Sequence, residues 1–239
     1  MRSSKTEAIV IKRRDFGEKD RILTLFTRED GKLDAISKGA RRPGSRFSYF
    51  SDIGSVGQFY IYQSKSIPII TDYKPIFAPE AAREDFKKTE KLSFAFRLID
   101  KLYHEADPHT KTYDILKHTT KEISGCHYQM MFLIFLLNVI DDLGMRPKLD
   151  SCTICQKPVM NENQISFVLD SGVCHSNCAN EDARQMNANE LKLLRFIYQK
   201  PYNEISRARV SPEVFDRAYV LIAEYFNWHF GKILPEKVL

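Results

Sequence analysis

The chain has 239 residues, 43% of them hydrophobic, enough to bury one large core or two smaller ones, and two domains are expected. Its longest unbroken apolar run, Met130 to Leu137, is far short of the roughly 20 residues of a membrane span, so no membrane partner is expected. Net charge is +5: residues 1–80 hold 15 Lys+Arg against 10 Asp+Glu, while the rest of the chain balances at 21 and 21. The excess positive charge thus sits in the first third, the footprint of a polyanion-binding surface.

Residues 6–77 carry strand signals. Ala8–Ile11 and Arg21–Phe26 are short apolar and β-branched runs. Asp30-Gly31 marks a tight hairpin into a returning strand, Lys32–Ser37. Gly57–Tyr62 and Ile67–Tyr73 supply two more, with Pro68 suited to an edge or bulge. Five short strands in this length suit a small closed barrel.

After Pro79 the period becomes helical. Glu80–Tyr103 repeats apolar residues at helical spacing, and Asp107-Pro108 predicts the cap and first turn of a helix running to about Ser124. Tyr128–Leu143 is apolar nearly all round and reads as a buried helix ended by Gly144. Asn187 with Glu190 predicts a capping box, and Ser211-Pro212 opens a last helix whose stripe is Phe215, Tyr219, Ile222 and Phe226. The expected architecture is α+β and multidomain: a barrel over 1–79, then a helical domain over 80–239 with a metal module inserted at about 149–180.

That module rests on Cys152, Cys155, Cys174 and Cys178, ordered C-x-x-C, eighteen residues, C-x-x-x-C. Two close thiol pairs at this separation suit one tetrahedral zinc ion. His175, inside the second pair, can replace a thiolate, although four thiolates need no help from it. Four protein ligands leave no open position, so the zinc is expected to be structural. A zinc deaminase requires an H-x-E element, which the chain lacks. With no export-signal pattern following Met1, the thiols point to a reducing cytosol. The fifth cysteine, Cys126, reads as an ordinary packed thiol.

The densest basic stretch is Lys38-Gly-Ala-Arg-Arg-Pro-Gly-Ser-Arg46, with four cations, two glycines and no acid. Glycines allow close backbone approach and guanidinium forks match phosphate geometry. Gly39 and Gly44 have P-loop spacing, but Ser45-Arg46 follows where Lys then Ser/Thr is required, so nucleotide hydrolysis is not supported. Lys12, Arg13 and Arg14 extend the basic set. Tyr60 and Tyr62, two apart on one strand, are candidates either for stacking bases or for covering the barrel. No catalytic constellation emerges.

Together these residues resemble the RecO family of bacterial recombination mediators. The resemblance runs through Ala8–Ile11, Phe16-Gly-Glu-Lys-Asp20, the Lys38–Arg46 loop, Leu143-Gly-Met-Arg-Pro-Lys-Leu149 leading into Cys152, and Phe167 ahead of Gly172-Val-Cys174. A glycine pair is common in the family where Ser171-Gly172 stands here. The resemblance implies an N-terminal OB-fold and a helical domain with a zinc-finger-like module. It also implies a non-enzymatic function on the nucleoid: binding single- and double-stranded DNA, annealing complementary strands, and helping RecA replace single-stranded-DNA-binding protein. RecR and the C-terminal tail of single-stranded-DNA-binding protein are the implied protein partners. Lys12, Arg13, Arg14, Lys38, Arg41, Arg42 and Arg46 are the expected phosphate contacts. An OB-fold RNA-binding or transcription adaptor with a structural zinc is the alternative.

Overall fold

The computed structural model describes residues 3–79, 85–123, 128–160, 165–205 and 208–234. Five strands close a barrel: β1 (Ser3–Phe16), β2 (Asp20–Thr27), β3 (Lys32–Ser37), β4 (Val56–Tyr62) and β5 (Ile69–Phe77), in the order β1-β2-β3-β5-β4. Only the β3–β5 pairing is parallel. A short helix, α1 (Arg46–Phe50), intervenes between β3 and β4. This is OB-fold topology.

The first strand is much longer than its apolar run. Residues Ser3–Ile9 pair with β4 and Ala8–Phe16 pair with β2, with an irregularity between Val10 and Lys12. One strand therefore belongs to two ladders, and Lys12–Phe16, which lacks an apolar run, is paired along β2. The barrel core is built from Ala8, Val10, Leu23, Leu25, Ala35, Phe59, Ile61, Ile70 and Tyr73. The Asp30-Gly31 hairpin forms as expected: Gly31 takes φ +72°, and its carbonyl accepts from the Thr27 amide (2.9 Å) and hydroxyl (2.8 Å).

Two helices follow in the same compact unit, Met1–Tyr128: α2 (Phe86–Leu102), capped by Asp85, and α3 (Thr110–Glu122). They cover one side of the barrel. Phe26 packs against the rings of Tyr103 and Tyr113, Arg28 makes two bonds to Asp114, and Lys117 and Tyr113 both donate to Glu7. The cap of α3 is His109, not Asp107. The segment before it is taken by the barrel: Glu105 bridges Lys32, the Ala106 amide donates to the Lys32 carbonyl (3.3 Å), and the Asp107 backbone lies against Gly31. Asp107 pairs with His109 instead (3.2 Å). Residues 80–84, Ser124 and Cys126 lie outside the described residues.

The second compact unit, Gln129–Leu239, is built on α4 (Tyr128–Asp142), whose residues from Met130 to Leu137 are all buried. Gly144 ends it at φ +76°. A small antiparallel sheet follows, β6 (Ile165–Val168), β7 (Gly172–His175) and β8 (Arg184–Met186), in the order β7-β6-β8. Then come α5 (Ala188–Gln199), with the Asn187/Glu190 capping box, the single turn α6 (Tyr202–Ile205), and α7 (Pro212–Phe230), capped by Ser211. Phe215, Tyr219, Ile222 and Phe226 are buried along α7.

Barrel closure uses one close approach. Tyr73 crosses Gly57 to donate to the Val56 carbonyl (3.0 Å), and a Cβ at Gly57 would lie 2.4 Å from the Tyr73 ring and 2.6 Å from the Lys74 carbonyl. Burial pushes the Tyr73 phenol up to about 12, so it remains a donor at neutral pH. Gly57→Ala is therefore expected to destabilise the barrel by about 1–3 kcal/mol. Urea unfolding of the full chain checks this; an unchanged midpoint contradicts it.

Candidate nucleic-acid interface and metal centre

The basic loop is fixed to the β1–β2 hairpin. The Gly39 amide donates to the Asp20 carboxylate (2.8 Å) and the Arg41 amide to the Lys19 carbonyl (3.0 Å). The Arg41 guanidinium reaches the Gly17 carbonyl (3.1 Å) and Asp15 (3.4 Å). Within the loop the Arg42 amide donates to Gly39 (3.0 Å) and the Ser45 amide to Arg42 (3.1 Å), while Ser45 caps α1. Gly39 and Gly44 take φ +68° and +72°, where a side chain would be strained. The loop is thus a second layer on the hairpin, and both form one end of the barrel.

The seven expected cations differ in their surroundings. Lys38 and Arg42 are exposed and make no ion pair among the described residues. Lys12 pairs with Asp100 (2.8 Å), Arg13 with Asp52, Arg14 with Asp34 (3.1 Å), Arg41 with Asp15 and Arg46 with Asp72 (3.4 Å). All five pairs are solvated and worth about 0–1 kcal/mol each, so a phosphate can replace the carboxylate at little cost. Alternation along β1 sends Arg13 to the opposite side from Lys12 and Arg14. The Lys-Arg-Arg run is therefore split between two sides of the strand.

Lys19, at the tip of the hairpin, is an exposed cation that the sequence reasoning passed over. Its signal was the Gly17-Glu-Lys turn itself, which only the folded loop brings beside Arg41. Tyr60 is half-buried on the outer side of β4, with the ammonium groups of Lys5 and Lys74 each 5.9 Å from its ring centre. Those cations compete with any base for the ring.

The structure brings together Cys152, Cys155, His175 and Cys178, with their ligand atoms all within 4.8 Å of one another. The first two lie in a tight turn: the Cys155 amide donates to Cys152 Sγ (3.4 Å), the Gln156 amide donates to the Cys152 carbonyl (3.0 Å), and Gln156 sits at φ +61°. Cys178 lies in a single 3₁₀ turn, Ser176–Cys178. His175 Nδ1 is 3.4 Å from Cys155 Sγ, and Nε2 is 3.3 Å from the Pro158 carbonyl.

One expected ligand is placed differently. Cys174 is fully buried in β7 opposite Ser166 and is not in the group. Cys174 nevertheless lies close to Cys152 and Cys155, beside the group. In the placed group the second pair is His175 and Cys178. Burial and the nearby Cys152 and Cys155 push the Cys174 thiol up. At Cys152 burial acts the same way, but backbone hydrogen bonds from Cys155, His175 and Ile154 outweigh it and bring the thiol down to about 6. Three sulfurs and one imidazole suit tetrahedral zinc. The Pro158 carbonyl can hold the other ring nitrogen protonated, the second-shell partner a ligating His requires. Zinc here would join the turn, β7 and the 3₁₀ segment.

An OB-fold barrel with a basic hairpin-and-loop end, followed by a helical unit that holds a closed thiol–imidazole group, defines an α+β protein with a group able to hold a metal. Residues 1–78 match the model of the recombination protein O N-terminal region, and residues 83–237 match that of its C-terminal region. The DNA repair protein RecO of Caldanaerobacter subterraneus subsp. tengcongensis is 33% identical over 236 residues, covering 96% of this chain and 94% of that protein. The RecO of Thermoanaerobacter sp. is 32% identical over 235 residues (96% and 93%), and that of Bacillus cereus 27% over 237 residues (98% and 94%). The chain belongs to the recombination protein O family, a family of DNA repair and recombination proteins.

The metal geometry makes a definite expectation. The purified protein should carry about one zinc per chain; Cys152→Ser and His175→Ala should lose it, and Cys174→Ala should keep it. Chelation should lower the thermal unfolding temperature of the helical unit, because the ligands of a structural site stabilise the fold only when joined. Metal analysis beside thermal unfolding checks this. Loss of zinc from Cys174→Ala but not from His175→Ala contradicts the ligand set.

Proposed function

We propose that this chain is a non-enzymatic mediator of recombinational DNA repair. It binds single- and double-stranded DNA by phosphate contacts at the hairpin-and-loop end of the barrel, residues 1–79, and anneals complementary strands. It helps load RecA onto DNA coated by single-stranded-DNA-binding protein, with RecR and the C-terminal tail of that protein as partners, in the cytoplasm on the nucleoid. The family supports the pathway and partners. The DNA contact has separate physical support.

The observation that carries it is the basic loop docked on the hairpin, with Lys38 and Arg42 exposed and free of ion pairs among the described residues. Rigid placement lowers the entropy lost on binding, and contact through positive charge with phosphates is sequence-tolerant. Lys12, Arg13, Arg14, Arg41 and Arg46 can exchange their solvated carboxylate partners for phosphates. Such exchange is readily reversed, which suits a protein that must release the duplex it makes. Annealing needs no covalent step, and the zinc group serves the fold.

Arg41→Glu combined with Arg42→Glu should lower affinity for both DNA forms more than tenfold at moderate salt, since each reversal removes one phosphate contact and adds repulsion. Arg42→Glu alone, whose side chain makes no ion pair among the described residues, should give part of the loss without loosening the loop. Binding titrations at several salt concentrations, with a strand-annealing assay, check both. Unchanged affinity sinks the loop assignment, and preference for RNA with no annealing favours an RNA adaptor.

A further inference from the structure

Phe16 is the last residue of β1, opposite Asp20 in the hairpin ladder, and it is 46% exposed. It takes no part in the barrel core. Among the described residues no other ring and no cation lies over it, in contrast to Tyr60 with its two lysines. Gly17 beside it is at φ +60° with open space where a Cβ would stand. A large apolar side chain at a hairpin tip contributes little to stability while it stays in water.

Its neighbourhood is cationic. Lys19, Arg21, Lys38, Arg41 and Arg42 share this end with three carboxylates. Two of those are committed: Asp15 to Arg21 and Arg41, and Asp20 to the Gly39 amide. The Arg41 guanidinium is bound to the carbonyl of the very next residue, Gly17. An open aromatic face amid phosphate-binding groups is the composition that grips a single strand: charge follows the backbone while the ring stacks on a base.

We propose that Phe16 stacks on an unpaired base of single-stranded DNA held at this end, and so supplies the preference for single strands that phosphate contacts lack. The inference rests on the DNA-binding reading above and deepens it. In a duplex the bases are already stacked on one another and closed to the ring, whereas the phosphates remain available. Pairing of two strands therefore removes the Phe16 contact and leaves only the charge contacts. The grip weakens when annealing succeeds.

The test compares binding of a single-stranded oligo(dT), a blunt duplex of equal length and an abasic oligonucleotide by the full chain, at one salt concentration. Phe16→Ala should weaken oligo(dT) binding between about fivefold and a hundredfold, the range one stacked base supplies, and leave the duplex and abasic affinities within about twofold. Phe16→Trp should keep oligo(dT) affinity. In a Trp228→Phe background its fluorescence should be quenched by oligo(dT) and not by the duplex. Equal weakening on all three DNAs, or no change on any, overturns the stacking role. Failure of the unaltered protein to bind any DNA overturns the DNA-binding reading itself, and this inference with it.

Discussion

The double pairing of β1 is the constraint on which the rest of the site depends. Its first half closes the barrel against β4, and its second half runs on with β2 as a hairpin. That extension provides the Gly17 and Lys19 carbonyls and the Asp20 carboxylate on which the basic loop is hung. Each such bond contributes only about 1 kcal/mol net, but the three act on one short loop and set its direction. Without the extension, Lys38–Arg46 would be a charged loop with no fixed direction. With it, Lys38, Arg41, Arg42, Lys19 and Phe16 occupy a single end of the molecule's first unit.

The charge of this unit is less available than its excess suggests. Most of the cations at issue already face an aspartate, so the surface is a set of replaceable ion pairs, with Lys19, Lys38 and Arg42 making no ion pair among the described residues. Solvated pairs are weak and screened by salt, so exchange for phosphate alters the energy modestly at each site. A polyanion on such a surface would be held by number of contacts, with an affinity falling steeply as salt rises. The metal group plays a different part. A metal held by these three sulfurs and the imidazole would join a tight turn, a strand end and a 3₁₀ turn that buries none of its own residues.

Much of this was legible in the residues. Short apolar runs, the Asp30-Gly31 hairpin and the Asn187/Glu190 box each act through local chemistry, and each forms as that chemistry requires. The parts that were not legible depend on distant partners. Lys12–Phe16 has no strand pattern, and its extended form depends on pairing with β2. The start of α3 moves past Asp107-Pro108 because the barrel captures residues 105–107. The strands β6, β7 and β8 have three or four residues each, too few for periodicity to register. At the metal group, the C-x-x-C and C-x-x-x-C spacing was legible, while the placement of His175 beside Cys155 depends on the fold of the turn and β7. Phe16 carries no signal in a linear reading, since its meaning lies in being exposed beside cations from another loop.

The central claim is that DNA is held at the hairpin-and-loop end of the barrel. Amide hydrogen exchange of the full chain, with and without saturating oligo(dT), tests it most directly because it reports every segment at once. Slowed exchange in residues 16–20 and 38–46, with the cysteine segment 149–180 unchanged, is the predicted result. Protection confined to the helical unit, with the hairpin and loop unaffected, would contradict it.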